Sequence, residues 1–188
     1  IYVMALTVSY YAAAFLAFSI FFYVVIYTIW LKPRTKYNIV IGGAAGALPP
    51  SIGWLSVTGT LDTLPFLMFL IIFMWTPPHF WSLTLSKRKD YGEAGVPMLP
   101  VVSGEDVTRN HIAGYTLALI FSNILIYVNG DTGIIFLGCG LLLSVYFSFL
   151  AFSLRDSKSE EDAWKLFKFS NVYLYSLFVL LVIDTAYR

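Results

Sequence analysis

Along the chain, long apolar stretches alternate with short polar ones at the spacing of membrane-crossing helices. The first stretch, Ile1 to Leu31, contains no Asp, Glu, Lys or Arg. As one helix its 31 residues would reach roughly 46 Å, well past a hydrocarbon core of about 30 Å. It therefore reads as the tail of one span, a turn near Ser9–Tyr11, and a full span ending at Leu31. Five apolar segments follow, at about Tyr37–Thr58, Leu64–Leu85, Ile112–Val128, Gly133–Leu154 and Phe169–Tyr187. Each is close to the ~20 residues that carry a helix across a bilayer. Turn-forming strings such as Thr58-Gly59-Thr60 and Asn129-Gly130-Asp131 separate them. The pattern predicts an all-α polytopic transmembrane bundle of six full helices plus part of one, in a single domain spanning 1–188. The chain opens in mid-run and lacks the charged head and cleavage site of a signal peptide. The expectation is a bundle whose first helices lie upstream of Ile1.

Composition removes whole classes of function. Hydrophobic residues make up 59% of the chain and charged ones 12%, with a mean hydropathy of +0.75. A soluble domain carries about 25% charge, so a soluble enzyme or a nucleic-acid binder is excluded. The lone Cys139 excludes an internal disulfide and a Cys-rich metal site. The distribution of charge is more telling than its sum. Lys32, Arg34 and Lys36 fall in the first loop, and Lys87, Arg88, Lys89 and Arg109 in the third. Arg155, Lys158, Lys165 and Lys168 fall in the fifth. Eleven of the 12 basic residues thus share one side, with only Arg188 opposite. The positive-inside rule places that side in the cytoplasm, or in the matrix of a mitochondrion.

The third loop, Ser86 to Asn110, is long and carries candidate chemistry. Lys87, Asp90 and Glu93 are spaced three apart, so on a continued helix they would share a face. Carboxylates flanked by cations suit a magnesium–diphosphate group, because the hard cation takes carboxylate and phosphate oxygens together. By itself the spacing is more often that of a plain solvated loop. The helix before it ends in Trp75-Thr76-Pro77-Pro78-His79-Phe80-Trp81. Prolines within a span free backbone carbonyls and are tolerated where protein or a cavity supplies partners. If the helix continued to Asp90, His79 would lie deeper on the same face. An intramembrane histidine is a functional candidate that also has a plain alternative, a hydrogen bond to a neighbouring helix. The tryptophans fit an interfacial belt or the walls of a pocket for a flat or isoprenoid ligand.

On the same side, Lys32-Pro33-Arg34-Thr35-Lys36-Tyr37-Asn38 packs three cations into five residues. It fits an anion site or contact with acidic lipid headgroups. Gly42 and Gly46, four apart, favour close helix packing. Pro49-Pro50 is expected to break this span as Pro77-Pro78 breaks the next, and paired breaks imply a cavity. The fifth loop, with Asp156, Glu160, Glu161 and Asp162 among its bases, is expected to be a solvated face on a short surface helix. Asp184 is given no chemistry.

Three strings then identify a resemblance: YTIWLKPRTKYNIVIGGAAGALPPSIGW (Tyr27–Trp54), FMWTPPHFWSL (Phe73–Leu83) and KDYGEAGVPMLPVVSG (Lys89–Gly104). They resemble the heme-farnesylating branch of the UbiA superfamily of intramembrane prenyltransferases. The resemblance implies nine transmembrane helices in the complete fold, around a cavity open sideways to lipid. It implies transfer of the farnesyl group of farnesyl diphosphate to a vinyl group of heme b, making heme O, with heme b as substrate rather than cofactor. Two Asp-rich motifs would hold the diphosphate through Mg²⁺. The first is not found and is expected upstream of Ile1, so these 188 residues alone are expected to be inactive. The second maps to Lys87–Ala94, with Asp90 as its acid; Ala94 stands where many relatives carry another Asp, and Glu93 is the substitute.

On this resemblance Asp90 and Lys87 are the catalytic candidates, and Asp90 and Glu93 hold the metal. Lys32, Arg34, Lys87 and Arg88 bind the diphosphate, although Pro33 occupies a position that is often basic. Asn38, Trp75, His79, Phe80, Trp81 and Tyr91 line the substrate pocket, and His79 contacts heme through its iron or a propionate. The implied location is the bacterial inner membrane, or the mitochondrial one in a eukaryote, with a downstream heme A synthase as a partner. The rivals are a quinone- or chlorophyll-pathway relative, a heme-carrying electron-transfer subunit and a transporter. The PPHFW string and single matching Asp argue against the first. Only His79 and a loop-edge His111 are available as ligands for the second, and no internal repeat favours the third.

Overall fold

The computed structural model describes residues 1–87 and 97–187, and all its elements are helical. A short α1 (Tyr2–Thr7) leads to α2 (Tyr10–Leu31). Ser9 caps α2 by accepting from Ala12 N at 3.4 Å, which is the turn expected there. The last ten residues of α2, Phe22–Leu31, are wound as a π-helix. Next come α3 (Asn38–Ala47), α4 (Pro49–Thr58) and α5 (Thr63–Ser86). The chain then forms α6 (Leu99–Ser103), α7 (Glu105–Val128), α8 (Ile134–Ser157) and α9 (Glu160–Ala186). Taking α3 and α4 as one span, six helices are long and apolar enough to cross a membrane.

Proline acts differently in the two expected breaks. Pro49 and Pro50 start α4, where their missing N–H groups cost nothing, and α3 ends just before them. Pro77 and Pro78 do not break their span: α5 runs unbroken from Thr63 to Ser86. Side-chain bonds support it through this region, with Thr76 Oγ1 donating to Ile72 O at 2.7 Å and Trp75 Nε1 to Ser170 O at 2.7 Å. The expected pairing of breaks is therefore half right, and any cavity has to come from elsewhere.

Charged residues also enter helices earlier than expected. α7 begins at Glu105, seven residues before the apolar run, so His111 is helical rather than at a loop edge. Gly104, at φ +87°, supplies a left-handed entry that other residues adopt at a cost. Glu105 and Asp106 occupy the first turn, where carboxylates oppose the helix dipole. Likewise Glu160–Lys168 is the start of α9, not a separate surface helix; Ser159 caps it by accepting from Asp162 N at 3.1 Å.

α5 is the hub, packed on α3, α7 and α9, while α8 lies against α7 and α9. Lipid tails are as apolar as Leu, so packing quality and polar bonds decide which helices associate. α8 accordingly buries Gly140, Ser144 and Ser148, spaced four apart. At the end opposite the basic loops, Asp184 of α9 is buried and accepts from Gly133 N at 2.5 Å and Phe136 N at 3.1 Å. It caps α8 from a neighbouring helix.

Candidate functional site

The basic loops meet at one end of the bundle. Lys36 Nζ donates to Ser103 Oγ at 2.8 Å, tying the first loop to α6. Asn38 is fully buried there, its Nδ2 donating to Thr35 O at 2.7 Å and Pro97 O at 3.3 Å. Its Oδ1 is buried with no hydrogen-bond partner among the described residues. Lys32 is half-buried, and exposed Arg34 reaches back to Trp30 O at 3.3 Å. Arg109 and Lys158 have structural work at this end. Arg109 pairs with Glu105 at 2.5 Å and Asp106 at 3.0 Å, and Lys158 joins Asp106 at 2.9 Å. This network locks the start of α7 to the α8–α9 connection.

The helix expected to carry His79 toward Asp90 stops short. α5 ends at Ser86, and Lys87, exposed, leaves helical geometry with φ −126° and ψ 40°. A helix face running unbroken from His79 to Asp90 is thus excluded. Arg88, Asp90, Tyr91 and Glu93 lie outside the described residues. Among the described residues no cluster of three or more His, Cys, Asp or Glu could hold a metal.

Deeper in α5, the aromatic string divides between two faces. His79 stacks on Trp75 with ring centroids 4.2 Å apart, meets Phe167 of α9 at 4.8 Å and lies edge-on to Phe80 at 5.3 Å. Its Nδ1 is 2.7 Å from Ser170 Oγ, also on α9. Trp75 and Phe80 in turn line a cavity of about 250 Å³ with Tyr23, Tyr27, Gly42, Gly43, Gly46 and Thr76. Trp81 does not join them. It is fully buried against α7, edge-on to His111 at 5.9 Å and Tyr115 at 5.7 Å. His111 and Tyr115 themselves line a separate, more open groove with Met74, Gly114 and Ala118.

The glycines of α3 shape the cavity. A Cβ on Gly42 would lie 2.3 Å from the Tyr27 ring, and one on Gly43 would lie 3.1 Å from Thr76. Their absence lets the π-helical end of α2 bring Tyr27 against the backbone of α3. The sequence marks Gly42 as a packing residue but gives no sign of its partner; Tyr23 and Ser170 carry no motif, and Tyr27 opens the first resembling string without being singled out there. The cavity offers aromatic faces that favour a cation, and the basic end offers charge that favours an anion. Together they suit an apolar chain bearing a negative head.

The family model described as the UbiA prenyltransferase family matches residues 1–177. The chain is 50% identical to a protein of Parvibaculum lavamentivorans over 96% of its own length and 58% of that protein's. For a protein of Granulibacter bethesdensis the values are 50%, 97% and 60%, and for one of Novosphingobium aromaticivorans 48%, 98% and 62%. All three are named protoheme IX farnesyltransferase. The chain thus spans about three-fifths of the length of these relatives. No solved structure matches it.

Proposed function

The chain belongs to the UbiA prenyltransferase family and is an integral membrane protein, and from that premise we propose that it takes part in transferring a farnesyl group from farnesyl diphosphate to a vinyl group of heme b. The observation that carries this reading is the identity of about half of all positions, across nearly the whole chain, to proteins named for that activity. The products are heme O and diphosphate. The membrane is the inner one of a bacterium or mitochondrion, with the basic loops on the cytoplasmic or matrix side. A heme A synthase that consumes heme O is the proposed downstream partner.

In this reading the farnesyl C1–O bond breaks with its electron pair leaving on the diphosphate. The vinyl π bond of heme then supplies the pair that forms the new C–C bond to C1. Water captured at the remaining vinyl carbon, with loss of a proton, gives the hydroxyethylfarnesyl side chain. Asp90 and Glu93 would hold Mg²⁺, which neutralises charge on the leaving diphosphate. Lys32, Arg34, Lys87 and Arg88 would bind the diphosphate oxygens, since fixed cations aimed at developing charge lower the barrier without covalent chemistry. Lys36 and Asn38 would keep the first loop against the third, placing the two sets of cations at one mouth. Trp75, Phe80, Tyr23 and Tyr27 would bound the isoprenoid chain and exclude water while C1 is cationic. At about 250 Å³ the cavity suits such a chain better than a porphyrin. Trp81 would act from behind, fixing α5 against α7.

The test uses the full-length gene product in membranes supplied with heme b, farnesyl diphosphate and Mg²⁺, with extracted hemes identified by mass. Heme O is expected, and is expected to vanish with EDTA and to fall at least a hundredfold with Asp90→Asn, the scale of removing one charge-stabilising group. Correctly inserted protein that makes no heme O would overturn the reading.

A further inference from the structure

Ser170 has one hydroxyl proton and two short contacts. Its Oγ lies 2.6 Å from Phe167 O and 2.7 Å from His79 Nδ1. A carbonyl oxygen only accepts, so the hydroxyl proton goes to Phe167. Ser170 therefore turns a lone pair toward His79, and Nδ1 must carry the ring proton. In the neutral imidazole this leaves the lone pair on Nε2. The ring plane is held as well as the tautomer, with Trp75 stacked on it and Phe167 tilted against it. Trp75 is itself fastened by its Nε1 to Ser170 O at 2.7 Å. Nδ1 is the ring nitrogen that a described residue bonds, and His79 is only partly buried.

A histidine so arranged is suited to a metal. Metal-bound imidazoles give their other N–H to an oxygen acceptor, which fixes the ring and raises the basicity of the ligating nitrogen. The same arrangement does not suit a propionate, because a carboxylate needs a donor and a neutral Nε2 offers none. We propose that Ser170 is a positioning residue that holds His79 as an axial nitrogen ligand for the iron of a porphyrin. This rests on the proposed function in taking heme as substrate, and adds to it the atom that recognises the iron and the residue that aims it.

The test titrates the full-length gene product in detergent with ferric protoheme and, separately, with metal-free protoporphyrin IX, following absorbance and electron paramagnetic resonance. Wild type is expected to show a nitrogen-ligated iron spectrum and to prefer the iron porphyrin. His79→Ala should lose both. Ser170→Ala leaves the backbone bond to Trp75 in place, so its melting temperature should hold. It should weaken ferric heme binding about tenfold, as loss of a ligand-orienting bond does, shift the ligation spectrum, and leave metal-free porphyrin binding alone. Ser170→Thr, which keeps the hydroxyl, should restore the spectrum. If His79→Ala loses the spectrum while Ser170→Ala leaves it and the affinity unchanged, the role of Ser170 is overturned. If His79→Ala keeps the wild-type spectrum, iron ligation by His79 is overturned. A wild-type protein that binds neither porphyrin overturns the heme reading of the function itself.

Discussion

α2 and the α7–α9 bundle are both made of apolar helices, yet they are held in place by different means. In the bundle, Asn123 Nδ2 donates to Ser144 Oγ at 2.8 Å and to Tyr173 OH at 3.0 Å, joining three helices at one buried point. Asp184 adds a second clamp nearer the end of α9. The buried residues of α2 are Ala12 and Ala13, and one of its ties to α3 is a 3.4 Å bond from Ser19 Oγ to Ala45 O. Apolar area does not prefer a helix to a lipid, so polar clamps and small-residue contacts make the difference. The lesson concerns the cavity, which lies between Tyr23 and Tyr27 of α2 and the glycine face of α3, with Trp75 and Phe80 of α5 as its far wall. It sits on the seam between α2, with the glycine face of α3, and the α5 wall of the scaffold that the α7–α9 clamps hold.

The contrast can be broken from the scaffold side. Asp184→Ala should have the largest effect, because two backbone N–H groups, one buried and one partly buried, lose a charged acceptor. A loss of about 3 kcal/mol is expected, read as a lowered melting temperature in a fixed detergent, with Asp184→Asn recovering part of it. Asn123→Ala comes next, at about 2 kcal/mol, since Ser144 and Tyr173 lose their shared donor while still bonding each other at 3.1 Å. The smallest effect belongs to Asp62→Ala. It removes an exposed 2.8 Å bond from Trp54 Nε1, and about 0.5 kcal/mol is expected. If Asp62→Ala proved as damaging as Asp184→Ala, the division into clamped and unclamped regions would fail.

The same physics explains what the sequence revealed. Hydrophobic runs and the one-sided basic residues placed the spans and the shared end of the loops, because lipid imposes those patterns directly. Helix starts at Glu105 and Glu160 were hidden, since charged first turns look like loop until their caps and ion pairs are seen. Pro77 and Pro78 read as a break because the sequence does not show the bond from Trp75 to α9. Asp184 carries no sign of its role in the sequence, and only the fold reveals the bare α8 terminus beside it. In the site, the PPHFW string drew attention to His79, Phe80 and Trp81 together, yet consecutive helical residues point in different directions. Trp81 accordingly packs on α7 while Phe80 meets the cavity. Ser170 was invisible, because a lone serine in an apolar helix carries no pattern of its own, and Tyr27, although it opens a motif string, gave no sign that it faces Gly42.

The most direct measurement compares Gly42→Ala with Asn123→Ala in the full-length gene product, recording heme O formation and melting temperature for each. The added Cβ of Gly42→Ala would overlap the Tyr27 ring, and Tyr27 lies outside the α7–α9 clamps, so it can shift without unfolding the bundle. Gly42→Ala should therefore cut turnover about tenfold with little change in melting temperature, whereas Asn123→Ala should lower the melting temperature and, below it, leave turnover near wild type. A Gly42→Ala protein that is fully active, or an Asn123→Ala protein that is inactive while fully folded, would contradict the placement of the site on the seam.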